Sequence, residues 1–171
     1  MARKILLYQT GGAEVLKIVE VPTPEPRTGD VRLRVRAIGI NRSEINSRAG
    51  TYGQPPSLPA QLGFEAAGEI DALGPGVSGF SIGDAVSVLP GFSSTQYGMY
   101  GDLVLAPARL LVKHPGTLTW IEAAATWMQF GTAWAGLVDI ADTTRGDFVL
   151  ITTPSSSVGL AAIQVARRHN A

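Results

Sequence analysis

The amino-acid sequence predicts an α/β chain in two parts, a β-rich barrel or sandwich followed by a helical stretch and one strand, turn and helix. Three observations point there. Short β-type runs separated by turn signals fill the first two thirds of the chain. From Thr119 the composition becomes Ala-rich, with apolar residues at helical spacing. The closing stretch GDFVLITTPSSSVGLAAIQVARRHNA, Gly146 to Ala171, is an apolar run, a turn of small residues and an amphipathic helix pattern.

The elements follow in order. KILLYQ runs into Gly11-Gly12, and VLKIVEV runs into the series Pro22, Pro24, Pro26, which ends a strand because proline cannot donate to a ladder. In DVRLRVRAIGI the side chains alternate. Val31, Leu33 and Val35 are expected on a buried face, and Arg32, Arg34 and Arg36 on a solvated one. GFEAAGEIDALG and GDAVSVLP predict further strands around the Gly-rich turn GVSGFSIGD, and YGMYGDLVLAPARLLVKHP predicts two more. TWIEAAATWMQFGTAWAGLVDIA predicts one helix, or two broken near Gly131, and Thr119 stands three residues before Glu122 in a capping-box arrangement. FVLIT then predicts a strand, TPSSS a turn and VGLAAIQVARR a helix.

Composition excludes several functions. Hydrophobic residues make up 45% of the 171 and charged residues 16%, which suits a folded chain with a sizeable core. Formal net charge is zero with the charges scattered, so neither nucleic acid nor a charged membrane is an expected partner. Without cysteine there is no disulfide, no thiol nucleophile and no cysteine-based zinc site. His114 and His169 lie far apart with no carboxylate at ligand spacing, so no metal site is expected. The apolar run near the N-terminus is far below the ~18 residues of a membrane span and shorter than a signal peptide, which makes a cytoplasmic location the expectation.

Several separated motifs resemble one family. GGAEVLKIVEVPTPEPRTGDVRLRVRAIGINRSE, LPAQLGFEAAGEIDALGPGVSGFSIGDAV and GMYGDLVLAPARLLVKHPGTLTWIEAAA together are similar, in order, to the N-terminal half of a medium-chain dehydrogenase/reductase of the zinc-free quinone oxidoreductase or enone reductase branch. The resemblance implies a GroES-like, partly open barrel over residues 1–120, forming an incomplete catalytic domain. Residues 121–171 would then be a linker helix and the start of a truncated Rossmann domain. It further implies a zinc-independent oxidoreductase that uses NADPH, or NADH, to reduce a quinone, enone or similar small electrophile, and that assembles as a homo-oligomer. Zinc-bearing relatives carry Cys where this chain has Asn41 and His where it has Phe64, and an amide and a phenyl ring cannot replace thiolate and imidazole.

The resemblance also nominates residues. Asn41 has two readings, an Asx turn or cap and a place in the cleft beside nicotinamide and substrate. Tyr52, in a Gly/Pro-rich loop, is a second candidate for the cleft, while Glu44 reads as a structural hydrogen-bond acceptor. Thr132 matches a nicotinamide-proximal helix, although a helical threonine also bonds back to its own backbone. Gln129 falls near a third zinc-ligand position and offers only amide bonding, and Trp127 and Trp134 read as core or cleft lining. Ser156, Ser157, Val158 and Gly159 occupy the phosphate turn, with serines where the family has glycines. That exchange works if the backbone there needs no positive φ, and Pro154 removes one donor. A single strand and helix cannot cover both faces of a parallel sheet. FVLIT, Leu160, Ile163 and Val165 are therefore expected to be exposed, disordered or paired with another molecule, and the chain to be a fragment, inactive alone. The alternatives are an enoyl-thioester reductase and a non-catalytic module that self-associates through its open edge.

Overall fold

The computed structural model describes residues 1–53, 56–93 and 96–171. Two compact units emerge, Met1–Ala125 and Thr126–Ala171.

In the first unit, β1 (Ala2–Leu7) pairs antiparallel with β2 (Leu16–Val21) and with the short β4 (Ala60–Gln61). The other sheet has five antiparallel strands in the order β7 (Leu103–Pro107), β3 (Asp30–Ile38), β5 (Ala66–Leu73), β6 (Ala85–Val88), β8 (Leu111–Lys113). Both sheets are open, so the β-rich part is a partly open arrangement and not a closed barrel. The alternation in β3 holds for Val31 and Leu33, whereas Val35 is half-buried and the Arg32 side chain is only 15% exposed. Val31 and Leu33 are fully buried among Ile70, Val86, Val88, Met99 and Val104, each such side chain contributing roughly 1.5–3 kcal/mol. The arginine row faces acids on the neighbouring strand. Asp71 accepts from Arg32 Nε at 2.6 Å and Arg34 Nη2 at 2.5 Å, and Glu69 accepts from Arg36 at 2.8 Å. Cross-strand neutralisation thus occupies the whole row.

Asn41, read as an Asx turn or cap, caps a helix, α1 (Arg42–Ala49). Asn41 precedes it in extended conformation, its N–H donates to Glu44 Oε2 at 2.8 Å, and Gly50 ends the helix at φ 74°. Asn followed by Glu three residues on is a capping pattern that the sequence carried.

The Ala-rich stretch breaks at Ala125–Thr126, earlier than Gly131, which lies inside a helix. The first piece, α2 (Trp120–Ala124), starts on the predicted box: Glu122 N–H donates to Thr119 Oγ1 at 3.3 Å and Thr119 N–H to Glu122 Oε2 at 2.8 Å. Its Ala123 and Ala124 are buried with Ala67 of β5, and the helix ends where Ala125 leaves helical geometry.

The second unit holds α3 (Trp127–Trp134), a wider π-type continuation over Ala135–Ile140 and α4 (Ser157–Arg168). Its core is Ala133, Ala161, Ala162 and Val165, with Phe130, Leu137, Val138 and Ile151 against it. Val165 is therefore buried, contrary to expectation, because α3 covers that face of α4. Leu160 stands on the uncovered face, 52% exposed. Residues 148–152 join no ladder, and Phe148 and Leu150 are fully or almost fully exposed. The predicted strand lacks a partner within its unit, and a strand is made by its neighbour. Among the described residues no helix is long and apolar enough to cross a membrane.

Candidate functional site

The predicted site residues fall in both units. In the first, Asn41 sits where β3 gives way to α1, half-buried, with its Nδ2 donating to Glu65 Oε1 at 3.0 Å. Glu65 is itself buried and follows Phe64, whose ring lies 6.3 Å from Phe92. The cap reading of Asn41 is thus realised in its backbone, while its amide is fixed by a buried carboxylate.

Glu44 anchors this corner. Only 1% exposed, it accepts from Asn41 N–H at 2.8 Å, from Phe64 N–H at 3.0 Å and from the Tyr100 hydroxyl at 2.8 Å. The structural-acceptor reading of Glu44 holds. Burial, then the adjacent Glu44 charge, pushes the Tyr100 phenol above its ordinary range, so Tyr100 stays a neutral donor. Sequence reasoning missed Tyr100, and only its position in the MYGD segment beside β7 brings it near Glu44. Tyr52 is 52% exposed in its loop. Two of its near neighbours in that Gly/Pro-rich loop, Gln54 and Pro55, lie outside the described residues.

A buried polar relay lies under the same sheet. Ser87 Oγ donates to the Ala123 carbonyl at 3.0 Å and lies 3.1 Å from His114 Nδ1. The hydroxyl has one proton, and it goes to Ala123, so His114 carries its proton on Nδ1 and donates to Ser87. Burial against the sheet, with Trp120 edge-on at 5.3 Å, pulls the His114 pKa below its usual value. Among the described residues no group of three or more His, Asp or Glu side chains could hold a metal ion.

In the second unit, a cavity of about 430 Å³ brings Thr132 and Gly136 of the α3 region together with Thr153, Ser156, Val158 and Gly159. Thr132 Oγ1 donates to Met128 O at 2.6 Å, the backbone alternative foreseen for it. Gln129 is half-buried on the same helix, as is Trp127, whereas Trp134 is 44% exposed and donates to Asp139 at 3.1 Å. Ser156 is the N-cap of α4 at φ −73° and ψ 160°. Its Oγ accepts from Gly159 N–H at 3.0 Å and donates to Thr153 O at 2.8 Å. That hydroxyl proton is therefore committed within the turn. The N–H groups of Ser157 and Val158 have no acceptor inside the helix and stand at its positive end. Neither serine adopts positive φ, which meets the condition for replacing glycine there. Gly159 does need to be glycine, since a Cβ would collide with the Thr153 carbonyl and Pro154.

Residues 27–116 match the alcohol dehydrogenase GroES-like domain, and the chain belongs to that family, within the medium-chain dehydrogenase/reductase superfamily. Inside the superfamily its relatives are quinone oxidoreductases and their kin. It is 36% identical to human quinone oxidoreductase over 170 residues, which is 99% of this chain and 50% of that one. The crystal structure of human synaptic vesicle membrane protein VAT-1 homolog-like protein superposes with a TM-score of 0.91 at 32% identity, over 98% of this chain and 53% of the other. A mycobacterial protein solved with NADPH matches at TM-score 0.87 and 32% identity, over 99% and 50%. The chain thus spans about half the length, or less, of the curated relatives it matches.

Proposed function

We propose that this chain carries the catalytic-domain residues and the first nucleotide-binding turn of an NADPH-dependent, zinc-independent oxidoreductase that reduces a quinone or enone. The observation that carries the reading is the Ser156–Gly159 turn. A capped helix N-terminus with two N–H groups lacking helical acceptors borders a cavity shared with Thr132, and Gly159 allows the close approach of helix and preceding chain. These residues fit a dinucleotide phosphate. A nicotinamide bound there would supply hydride; the chain's own residues bind and orient it.

By the family resemblance Asn41 and Phe64 take the places of zinc ligands, and neither binds zinc as a thiolate or imidazole does. The negative charge that develops on the acceptor oxygen is met by hydrogen-bond donors, for which Asn41 and Tyr52 are proposed. Asn41 is suited to orientation because Glu65 and the Glu44 corner hold it on both sides. NADPH is proposed over NADH, and a homo-oligomer in the cytoplasm as the working form. Because residues 148–152 join no ladder and α4 stands without a paired strand, the 171 residues alone are proposed to be inactive.

The test is NADPH oxidation followed at 340 nm, with benzoquinone and with an enone. It is run on the 171-residue chain and on the same chain extended to the length of human quinone oxidoreductase. Turnover by the extended protein that survives a strong chelator is expected, and none by the shorter one. Chelator-sensitive turnover, or oxidation of a primary alcohol in its place, would overturn the proposal.

A further inference from the structure

The first unit carries a second polar site that the proposed chemistry does not use. Two adjoining cavities, of about 550 Å³ and about 320 Å³, share Asp30, Gln96 and Tyr97 in their walls. They open where β3 begins, at Asp30, whereas Asn41 follows the opposite end of that nine-residue strand. At ~3.4 Å per residue the two places are roughly 25–30 Å apart.

The wall is firmly built. Asp30 is 6% exposed and accepts from the Tyr97 hydroxyl at 2.8 Å. Backbone bonds tie the rim together: Asp30 N–H to Arg27 O at 3.0 Å, Gly74 N–H to Asp30 O at 2.9 Å, Gly29 N–H to Pro75 O at 2.9 Å and Ala108 N–H to Gly29 O at 2.9 Å. Gly74 packs so closely that a Cβ would collide with the Arg27 carbonyl.

The charge balance is uneven. Arg109 lines the larger cavity and Arg27 the smaller one. Both guanidinium groups act electrostatically on the Tyr97 phenol between them. Among the described residues neither is within ion-pairing distance of a carboxylate, unlike Arg3, Arg32, Arg34 and Arg36. Asp30, the one acid among the described residues of the wall, already holds the Tyr97 proton donor. Two unneutralised guanidinium forks therefore flank a cleft that also presents the hydroxyls of Thr28 and Ser78 and the Gln96 amide, over an apolar patch of Val77 and Phe80.

We propose that this cleft binds a small oxyanion, a molecule bearing a carboxylate or a phosphate, at a site remote from the Asn41 corner. Guanidinium recognises either group through paired N–H donors, which lysine cannot reproduce. The hydroxyls and amide add donors, and the apolar patch accommodates a short carbon body.

The test uses the 15N-labelled 171-residue chain, titrated at constant ionic strength with inorganic phosphate, with succinate and with sodium chloride as reference. Saturable shifts of the Gly29, Ser78, Tyr97 and Ala108 amides with phosphate, succinate or both are expected. Phosphate alone assigns the phosphate class, and succinate alone the carboxylate class. Arg27→Gln and Arg109→Gln, both at exposed positions, should each raise Kd about tenfold or more, and Arg109→Lys should recover only part of the loss. In these variants phosphate-induced shifts at Ser157–Gly159 should stay as in the unmodified chain, which separates this site from the nucleotide turn. Shifts confined to Ser157–Gly159, non-saturating shifts equal to those with chloride, or affinity unchanged in both glutamine variants would overturn the proposal.

Discussion

Glu44→Ala should be among the most damaging single substitutions in the first unit. The carboxylate is buried and accepts three hydrogen bonds, from Asn41 N–H and the Tyr100 hydroxyl on Oε2 and from Phe64 N–H on Oε1. Truncation strands all three donors, at about 1–3 kcal/mol for each buried group left unsatisfied. Some relaxation is expected, so the sum is placed at about 3–6 kcal/mol. Glu44→Gln keeps an oxygen for Asn41 and Tyr100 but turns an NH2 towards Phe64 N–H, so about 1–3 kcal/mol should be lost. Tyr100→Phe removes one donor and leaves Oε2 bonded to Asn41, costing about 1 kcal/mol. The alkaline limb gives a separate check. Because the folded chain holds the phenol pKa above its ordinary value, the Tyr100 contribution is full below about pH 10 and is lost as pH rises towards the folded value. Tyr100→Phe should flatten that loss. Urea unfolding followed through Trp120 fluorescence, with Trp127 and Trp134 replaced by Phe, reads the first unit. A Glu44→Ala cost under about 1 kcal/mol, or Glu44→Gln as damaging as Glu44→Ala, would refute the accounting.

Other outcomes follow from the same contacts. Since burial lowers the His114 pKa, the unfolded chain binds that proton more readily; stability should be full above about pH 6.5 and fall as pH drops through the lower folded value. His114→Phe should flatten the urea midpoint between pH 7 and about 5.5, and an unchanged slope would rule out His114 as its source. In the second unit, Gly159→Ala forces a Cβ onto Thr153 O and should cost about 1–3 kcal/mol of α4 docking, whereas Ser156→Ala loses the cap and the exposed hydroxyl bond to Thr153 O, about 1 kcal/mol. Native-state hydrogen exchange of the α4 amides orders the two, and equal protection would contradict the close-approach argument.

The strands and helices that the sequence disclosed are those whose pattern is local. β3 is legible because Val31 and Leu33 alternate with arginines, and α2 because Thr119 and Glu122 are three apart. The helix α1 was as legible in principle, through Asn41, Glu44 and Gly50, but apart from Ile45 and Ala49 its residues are polar and offer no apolar stripe to signal a helix. What remained hidden depends on distant chain. Tyr100 meets Glu44 across 56 positions, and Asp71 meets Arg32 across 39. No local period encodes either meeting. Residues 148–152 show the reverse case, in which β-type composition is present and the neighbour that would make a strand is not in the same unit.

The Ser156–Gly159 turn, proposed to meet a phosphate, joins these threads. A glycine is required in such a turn either for positive φ or for close approach, and the two demands separate here. Ser156, at φ −73°, meets no demand for positive φ, so serine is tolerated and adds a cap. Gly159, without positive φ, is held by the Thr153 carbonyl against its Cα. The Ser156 hydroxyl spans Thr153 O and Gly159 N–H, so it braces the turn and its proton is not available to a phosphate. Anion recognition in the proposed function then rests on the Ser157 and Val158 N–H groups and the exposed Ser157 side chain. Ser156→Gly should accordingly cost only a few tenths of a kcal/mol and leave nucleotide binding by the extended protein nearly intact, whereas Gly159→Ala should weaken both.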